Sequence, residues 1–125
     1  MQYDRFQQEA IDYINQGHSV IVSAPTGAGK TAIAEHIISG SLQKNIGVIY
    51  TAPIKALSNQ KFRDFQGQFK DNIGILTGDV SINPLAPVLI MTTEIFRNKL
   101  LDEPDSLGKY SWIIFDEIHY IDNPE

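Results

Sequence analysis

Residues 19–31 read SVIVSAPTGAGKT, a short β-branched run, then a glycine-rich turn, then the opening of a helical pattern that continues as TAIAEHIISGSLQ. A run such as SVIVSA, apolar without alternation, is the mark of a strand buried on both faces. The turn, Ala24 to Thr31, fits the phosphate-loop pattern except that Ala24 stands where the strict form has glycine. Gly27 and Gly29 allow backbone N–H groups to curl around phosphate oxygens with no Cβ in the way. The helix that follows adds its positive N-terminal end. Pro25, Thr26, Gly27, Ala28, Gly29, Lys30 and Thr31 are therefore the expected nucleotide cradle, with Lys30 suited to the β- and γ-phosphates and Thr31 to a Mg²⁺ ion. On these residues alone, a glycine-rich turn with a chance GKT stays open.

Outward from this stretch, further apolar runs occur at 46–51 (IGVIYT), 73–76 (IGIL), 88–91 (VLIM) and 112–115 (WIIF). Helix-length segments lie at 4–16, 54–69 and about 93–101. Strands alternating with helices predict an α/β fold, a parallel sheet with helices on both faces. The segment 77–87, TGDVSINPLAP, is rich in Gly, Asn and Pro and reads as loop. Phe62, Phe65 and Phe69 fall at i, i+3 and i+7 and are expected in the core, with Lys61 and Arg63 on a solvated face of the same helix. No internal repeat or linker divides residues 1–125, so they form one domain. The chain stops at Pro124–Glu125 just after a strand, and it reads as an incomplete domain of a larger protein.

Composition narrows the functional classes. In 125 residues, 42% are hydrophobic and 20% charged, a soluble globular balance rather than a disordered one. No apolar run approaches the roughly 20 residues that span a bilayer, and the N-terminus lacks a secretion signal. With no cysteine, disulfides and thiolate zinc sites are excluded, which is compatible with a reducing cytoplasm. Ten basic against fifteen acidic residues leave a net charge of −5. A module that grips nucleic acid by bulk positive charge is thereby excluded, and any such contact must come from individually placed residues or helix dipoles.

The second chemical signal is Trp112-Ile113-Ile114-Phe115-Asp116-Glu117-Ile118-His119. Four apolar residues followed by two acids place carboxylates at the C-terminal end of a buried strand, where open parallel sheets bind ligands. Asp116 suits a Mg²⁺ shell, and Glu117 suits orienting or deprotonating a water. Alone, Asp-Glu after a strand also reads as a helix cap. Together with the phosphate loop it predicts a nucleoside triphosphatase using ATP and Mg²⁺.

Five segments, FQQEAI, SAPTGAGKT, YTAPIKALSNQKFRDF, GILTGDVSINPLAPVLIMTTEIFRNKL and IIFDEIHYIDNPE, cover almost the whole chain. In order and spacing they resemble superfamily 2 DExH-box RNA helicases of the superkiller and exosome-associated type. The resemblance implies most of the first of two RecA-like domains. The second domain, its arginine fingers and a Ser-Ala-Thr motif are absent from this chain, so the chain alone is expected to be inactive. It also implies ATP-driven strand separation and single-stranded RNA as partner with DNA left open; a cytoplasmic location and no membrane are expected from the cysteine count and the apolar run lengths above. Position by position, Gln7 is assigned the adenine edge, although by itself it reads as an exposed helix glutamine. His119 is assigned to coupling the nucleotide site with the missing parts, against a plain loop histidine. Pro53, Lys55, Gly78, Thr92, Thr93, Glu94 and Arg97 are assigned to the nucleic acid. The residues themselves leave open a proline-started helix with a solvated lysine, an N-cap at Thr92 or Thr93, and a surface ion pair for Arg97. A small-molecule kinase and a nucleotide-regulated interaction module without motor activity are the rival classes.

Overall fold

Five apolar runs become five parallel strands, because segments that bury both faces must lie inside a sheet covered on both sides. The computed structural model describes residues 19–23 and 27–116, with side chains from residue 34 onward. The helix expected over 4–16, with Gln7, lies outside the described residues. In chain order the elements are β1 (Ser19–Ser23), α1 (Gly27–Gln43), β2 (Gly47–Ala52), α2 (Lys55–Phe69), β3 (Ile73–Leu76), β4 (Ser81–Ile82), β5 (Val88–Thr92), α3 (Thr93–Asp102) and β6 (Tyr110–Asp116). Single 3₁₀ turns at Lys70–Asn72 and Pro104–Leu107 complete the connections. The spatial order is β1-β6-β2-β5-β3-β4. Every pairing is parallel except that of β4 with β3.

Side-chain alternation along the strands sorts the core into two layers. Val48, Tyr50, Ile75, Val88, Ile90 and Ile114 share one face with Ala34 and Ile38 of α1 and Phe62, Phe65 and Phe69 of α2. Ile49, Leu89, Met91, Ile113 and Phe115 face the other way, against Phe96 of α3 and Leu107. Helices thus cover both faces of a mostly parallel sheet, the RecA-like arrangement that the alternating pattern and the resemblance predict.

Two expectations need correction. The segment 77–87 is not all loop, for Ser81 and Ile82 pair antiparallel with Leu76 and Ile75. Local hydrogen bonds make this hairpin. Thr77 Oγ1 accepts from the amides of Asp79 (3.2 Å) and Val80 (3.1 Å), and the Thr77 amide donates to the Val80 carbonyl. Asn83, at φ 50°, closes it by donating its side-chain amide to the Asp71 carbonyl at 2.8 Å. The return strand crosses β3 so closely that a methyl group at Gly74 would run into the Asn83 carbonyl. Lys61 is the second correction: it is buried, while Arg63 is exposed as expected. Ser58, Lys61 and Phe65 rise one above another on α2, so the inward stripe is wider than the three phenylalanines. A lysine stem is apolar enough to lie in such a stripe.

Candidate functional site

All five parallel strands finish at one edge of the sheet, and the register there decides which residues meet. Ser23 is the Cα partner of Asp116, Ala52 of Thr92, and Leu76 of Met91. Two clusters result, one at the ends of β1 and β6, the other at the ends of β2, β5 and β3.

In the first cluster the chain leaves β1 at Ser23, directly beside Asp116, and re-enters regular structure as α1 at Gly27. The helix therefore begins four residues before the pattern TAIAEHIISGSLQ. Gly27, Ala28, Gly29 and Lys30 form its first turn and Thr31 follows, so the unpaired N–H groups of that turn belong to the glycine-rich segment itself. Pro25, Thr26, Glu117 and His119 lie outside the described residues.

Asp116 is the best-defined member of this cluster. It lies two residues beyond Ile114, so strand alternation puts it on the sheet face that carries α1. Its residue is only 2% exposed. The Tyr50 hydroxyl donates to Asp116 Oδ2 at 2.5 Å. Tyr50 stands opposite Ile114 across the β2–β6 pair, and so reaches the carboxylate on the diagonal. Burial, and then the hydrogen bond to Asp116, push the Tyr50 phenol far above its ordinary pKa, which keeps it a donor. A carboxylate buried at a strand end, paired with the residue from which the chain leaves toward a helix start rich in glycine, is a hard oxygen ligand near the path to a set of unpaired N–H groups. That donor set fits a divalent cation carrying phosphate oxygens.

The second cluster gathers three elements. From Ala52 the chain runs through Pro53 and Ile54, both exposed, into α2 at Lys55. Ile54 offers no side-chain cap to the first amides of α2, which have no partner within the helix. Lys55 Nζ pairs with Asp79 Oδ2 at 2.7 Å, both side chains being largely exposed, and a methyl group added at Gly78 would touch the end of the lysine side chain at 3.8 Å. The hydrogen bond and charge of Asp79, with a further contribution from Glu94, raise the Lys55 pKa above its ordinary value. Thr92 is the N-cap of α3, its Oγ1 accepting from the Ile95 amide at 3.3 Å. Of the two readings of Thr92, the cap is the geometry found. Thr93 is half-buried at the start of α3, and Glu94 and Arg97 are exposed.

The fold thus places Lys55 beside Asp79 and near Gly78 and Glu94, and it adds to the residues singled out in the sequence one that was not among them, Tyr50. Tyr50 sits in an apolar run and reads as a core aromatic; its role as a donor follows only from β2 bordering β6. Asp79 had a signal, the Thr-Gly-Asp turn after a strand, but its partner lies 24 positions back. His36 is far from either cluster, lining a cavity of about 290 Å³ with Ile46 and Trp112 at the other end of the strands.

Comparison with known proteins gives a family and relatives. The family described as DEAD/DEAH box helicase matches residues 4–124. The chain is 52% identical over 122 residues to the DExH-box ATP-dependent RNA helicase DExH9 of Arabidopsis thaliana, covering 98% of this chain and 12% of that protein. It is 52% identical over 123 residues to the antiviral helicase SKI2 of Saccharomyces cerevisiae (98% and 10%). With the exosome RNA helicase MTR4 of Homo sapiens it shares 50% identity over 122 residues (98% and 12%). The chain spans only 10–12% of the length of these relatives.

Proposed function

The chain belongs to the DEAD/DEAH box helicase family, and we propose that it is the ATP-binding part of an ATP-dependent RNA helicase, the first of two RecA-like domains in a longer protein. The observation that supports this reading is the pairing of Asp116 with Ser23, the residue from which the chain enters the glycine-rich segment, at the edge where parallel sheets bind ligands.

In this reading, Pro25 to Thr31 cradle the phosphates, Lys30 adds the loop's cation, Gln7 reads the adenine, and Thr31 and Asp116 hold Mg²⁺. Bound Mg-ATP supplies the phosphoanhydride whose hydrolysis drives the cycle. Glu117 takes the proton of the attacking water, and His119 links this site to the second domain. Asp116 meets its part by being fixed: it is buried, and Tyr50 holds one oxygen.

The other cluster receives the nucleic acid. Exposed Pro53 and Lys55, the open first turn of α2, Gly78, and Thr93 and Glu94 at the start of α3 line one stretch of the edge, with Thr92 capping and Arg97 one turn on. Backbone amides and single cations contact phosphate without reading bases, which fits a motor indifferent to sequence. Two of the three relatives are named RNA helicases, which favours RNA over DNA. We place the protein in the cytoplasm; among the described residues no helix is long and apolar enough to cross a membrane.

The test is nucleotide binding and RNA-stimulated ATP turnover in the intact protein. Lys30→Ala should abolish tight Mg-ATP binding, because the phosphates lose the loop's only side-chain cation. Calorimetric affinity equal to wild type would sink the phosphate-loop assignment. The 125-residue chain by itself should bind nucleotide weakly and turn it over negligibly, since a transition-state arginine contributes about 10³–10⁵ in rate.

A further inference from the structure

We propose that Tyr50 is a positioning residue for the nucleotide-bound metal, fixing through its hydroxyl the orientation in which Asp116 presents its carboxylate. The inference rests on the phosphate-loop reading above.

Fixed dipoles must replace the water lost by a carboxylate that is 2% exposed. The Tyr50 hydroxyl does so at 2.5 Å, the short distance typical of an O–H donor on a charged oxygen. Geometry makes this donor rigid. Tyr50 is fully buried on the central strand β2, and its ring meets Phe65 of α2 edge-on, at 5.5 Å between centroids. Phe65 in turn meets Phe69 at 6.0 Å, so the phenol is braced from behind by an aromatic row. The hydroxyl cannot follow the carboxylate if it rotates; the carboxylate must stay where the hydroxyl is.

A core tyrosine could be replaced by phenylalanine with little loss if packing were its whole task. Here the hydroxyl points at the carboxylate whose residue pairs with Ser23, the last residue of β1. The hydroxyl holds Oδ2, which limits the directions in which the carboxylate can offer an oxygen to a cation. Partners of this kind, one bond removed from the metal, typically contribute about 10–100-fold to metal affinity.

The experiment uses the intact protein and a fluorescent ADP analogue, with binding titrated against Mg²⁺ and repeated in EDTA. Tyr50→Phe is expected to raise the Mg²⁺ concentration for half-maximal nucleotide retention by about 10–100-fold, with affinity in EDTA unchanged. In an Asp116→Asn background the same substitution should add no further shift. Equal weakening with and without Mg²⁺ would make Tyr50 a packing residue and overturn the inference. If Asp116→Asn shifts the Mg²⁺ dependence and Tyr50→Phe does not, the inference fails while the phosphate-loop reading stands. If Asp116→Asn itself shifts nothing, that reading fails. Should Tyr50→Phe not fold, the ¹³Cζ resonance of labelled Tyr50 in the wild-type protein gives the answer. It should move when Mg²⁺ is added to the nucleotide-bound protein, and a resonance that stays in place overturns the inference.

Discussion

The two halves of the sheet edge handle charge in opposite ways. At the ends of β1 and β6, Asp116 is 2% exposed and is held by a neutral phenol inside the core. At the ends of β2 and β3, Lys55 and Asp79 pair with side chains 53% and 69% exposed. A buried, hydrogen-bonded carboxylate sits in a medium where reorientation is expensive, so it acts as fixed geometry. An exposed ion pair is screened and contributes little to stability, so its members exchange partners readily. Permanence suits a metal shell. Exchange suits a polymer that must be gripped and released.

The strongest attempt to break this contrast is Glu117→Gln. With Asp116 still in place, ATP binding in the intact protein should persist while RNA-stimulated turnover falls by roughly 10² or more. Normal turnover in a steady-state assay would remove Glu117 from the chemistry and weaken the case for a rigid catalytic half.

Next in size is Asp116→Ala. It leaves the buried Tyr50 hydroxyl without its acceptor, a loss of about 1–3 kcal/mol. Hydrogen exchange at β2 and β6 should report the loss, with α3 changing least. Uniform loosening of all strands would mean that the carboxylate is not a local clamp.

Gly74→Ala tests whether the exposed half also depends on buried geometry. The added methyl meets the Asn83 carbonyl, which is backbone and has little room to yield. Destabilisation of about 1–3 kcal/mol is expected, centred on β3 and β4 and carried to the Thr77–Val80 turn that presents Asp79. Exchange rates unchanged at that turn would show that it stands without the hairpin.

The smallest effects belong to the exposed pair. Lys55→Ala should lower the salt dependence of single-strand binding by about 0.7 in the log–log slope, equally for all sequences. Asp79→Asn frees the lysine and should tighten binding, by no more than about fivefold. Fluorescence anisotropy across a salt series measures both. Weaker binding by Asp79→Asn would make the aspartate part of the grip rather than a competitor for it.

The local features of this fold were largely legible. β-branched and apolar runs announced every parallel strand, and the aromatic spacing of Phe62, Phe65 and Phe69 announced the inward face of α2. β4 escaped because two residues are too short for any periodicity; side-chain turns at Thr77 and Asn83 create it. Lys61 escaped because charge type says nothing about which helix face a residue shares. The candidate site was legible as motifs but not as an arrangement. That the end of β1 meets Asp116 depends on β6 lying between β1 and β2, a matter of topology rather than of any local pattern. Tyr50 depends on it twice over, once for its neighbour and once for the parity that aims it there.

That same strand order has a consequence for synthesis on the ribosome. Among the described strands, β1 has one neighbour, β6, and the two are separated in the chain by nearly everything else in the sheet. Strands β2, β3 and β5 can pair as they emerge, whereas β1 must wait with its hydrogen-bonding edge open. At about 5–20 residues per second, that wait lasts on the order of 5–20 s. The nascent chain therefore first acquires the half proposed to face the polymer. The nucleotide half is completed only when β6 slides in between, a vulnerable interval in which a chaperone or a stray β-edge would compete for the same groups.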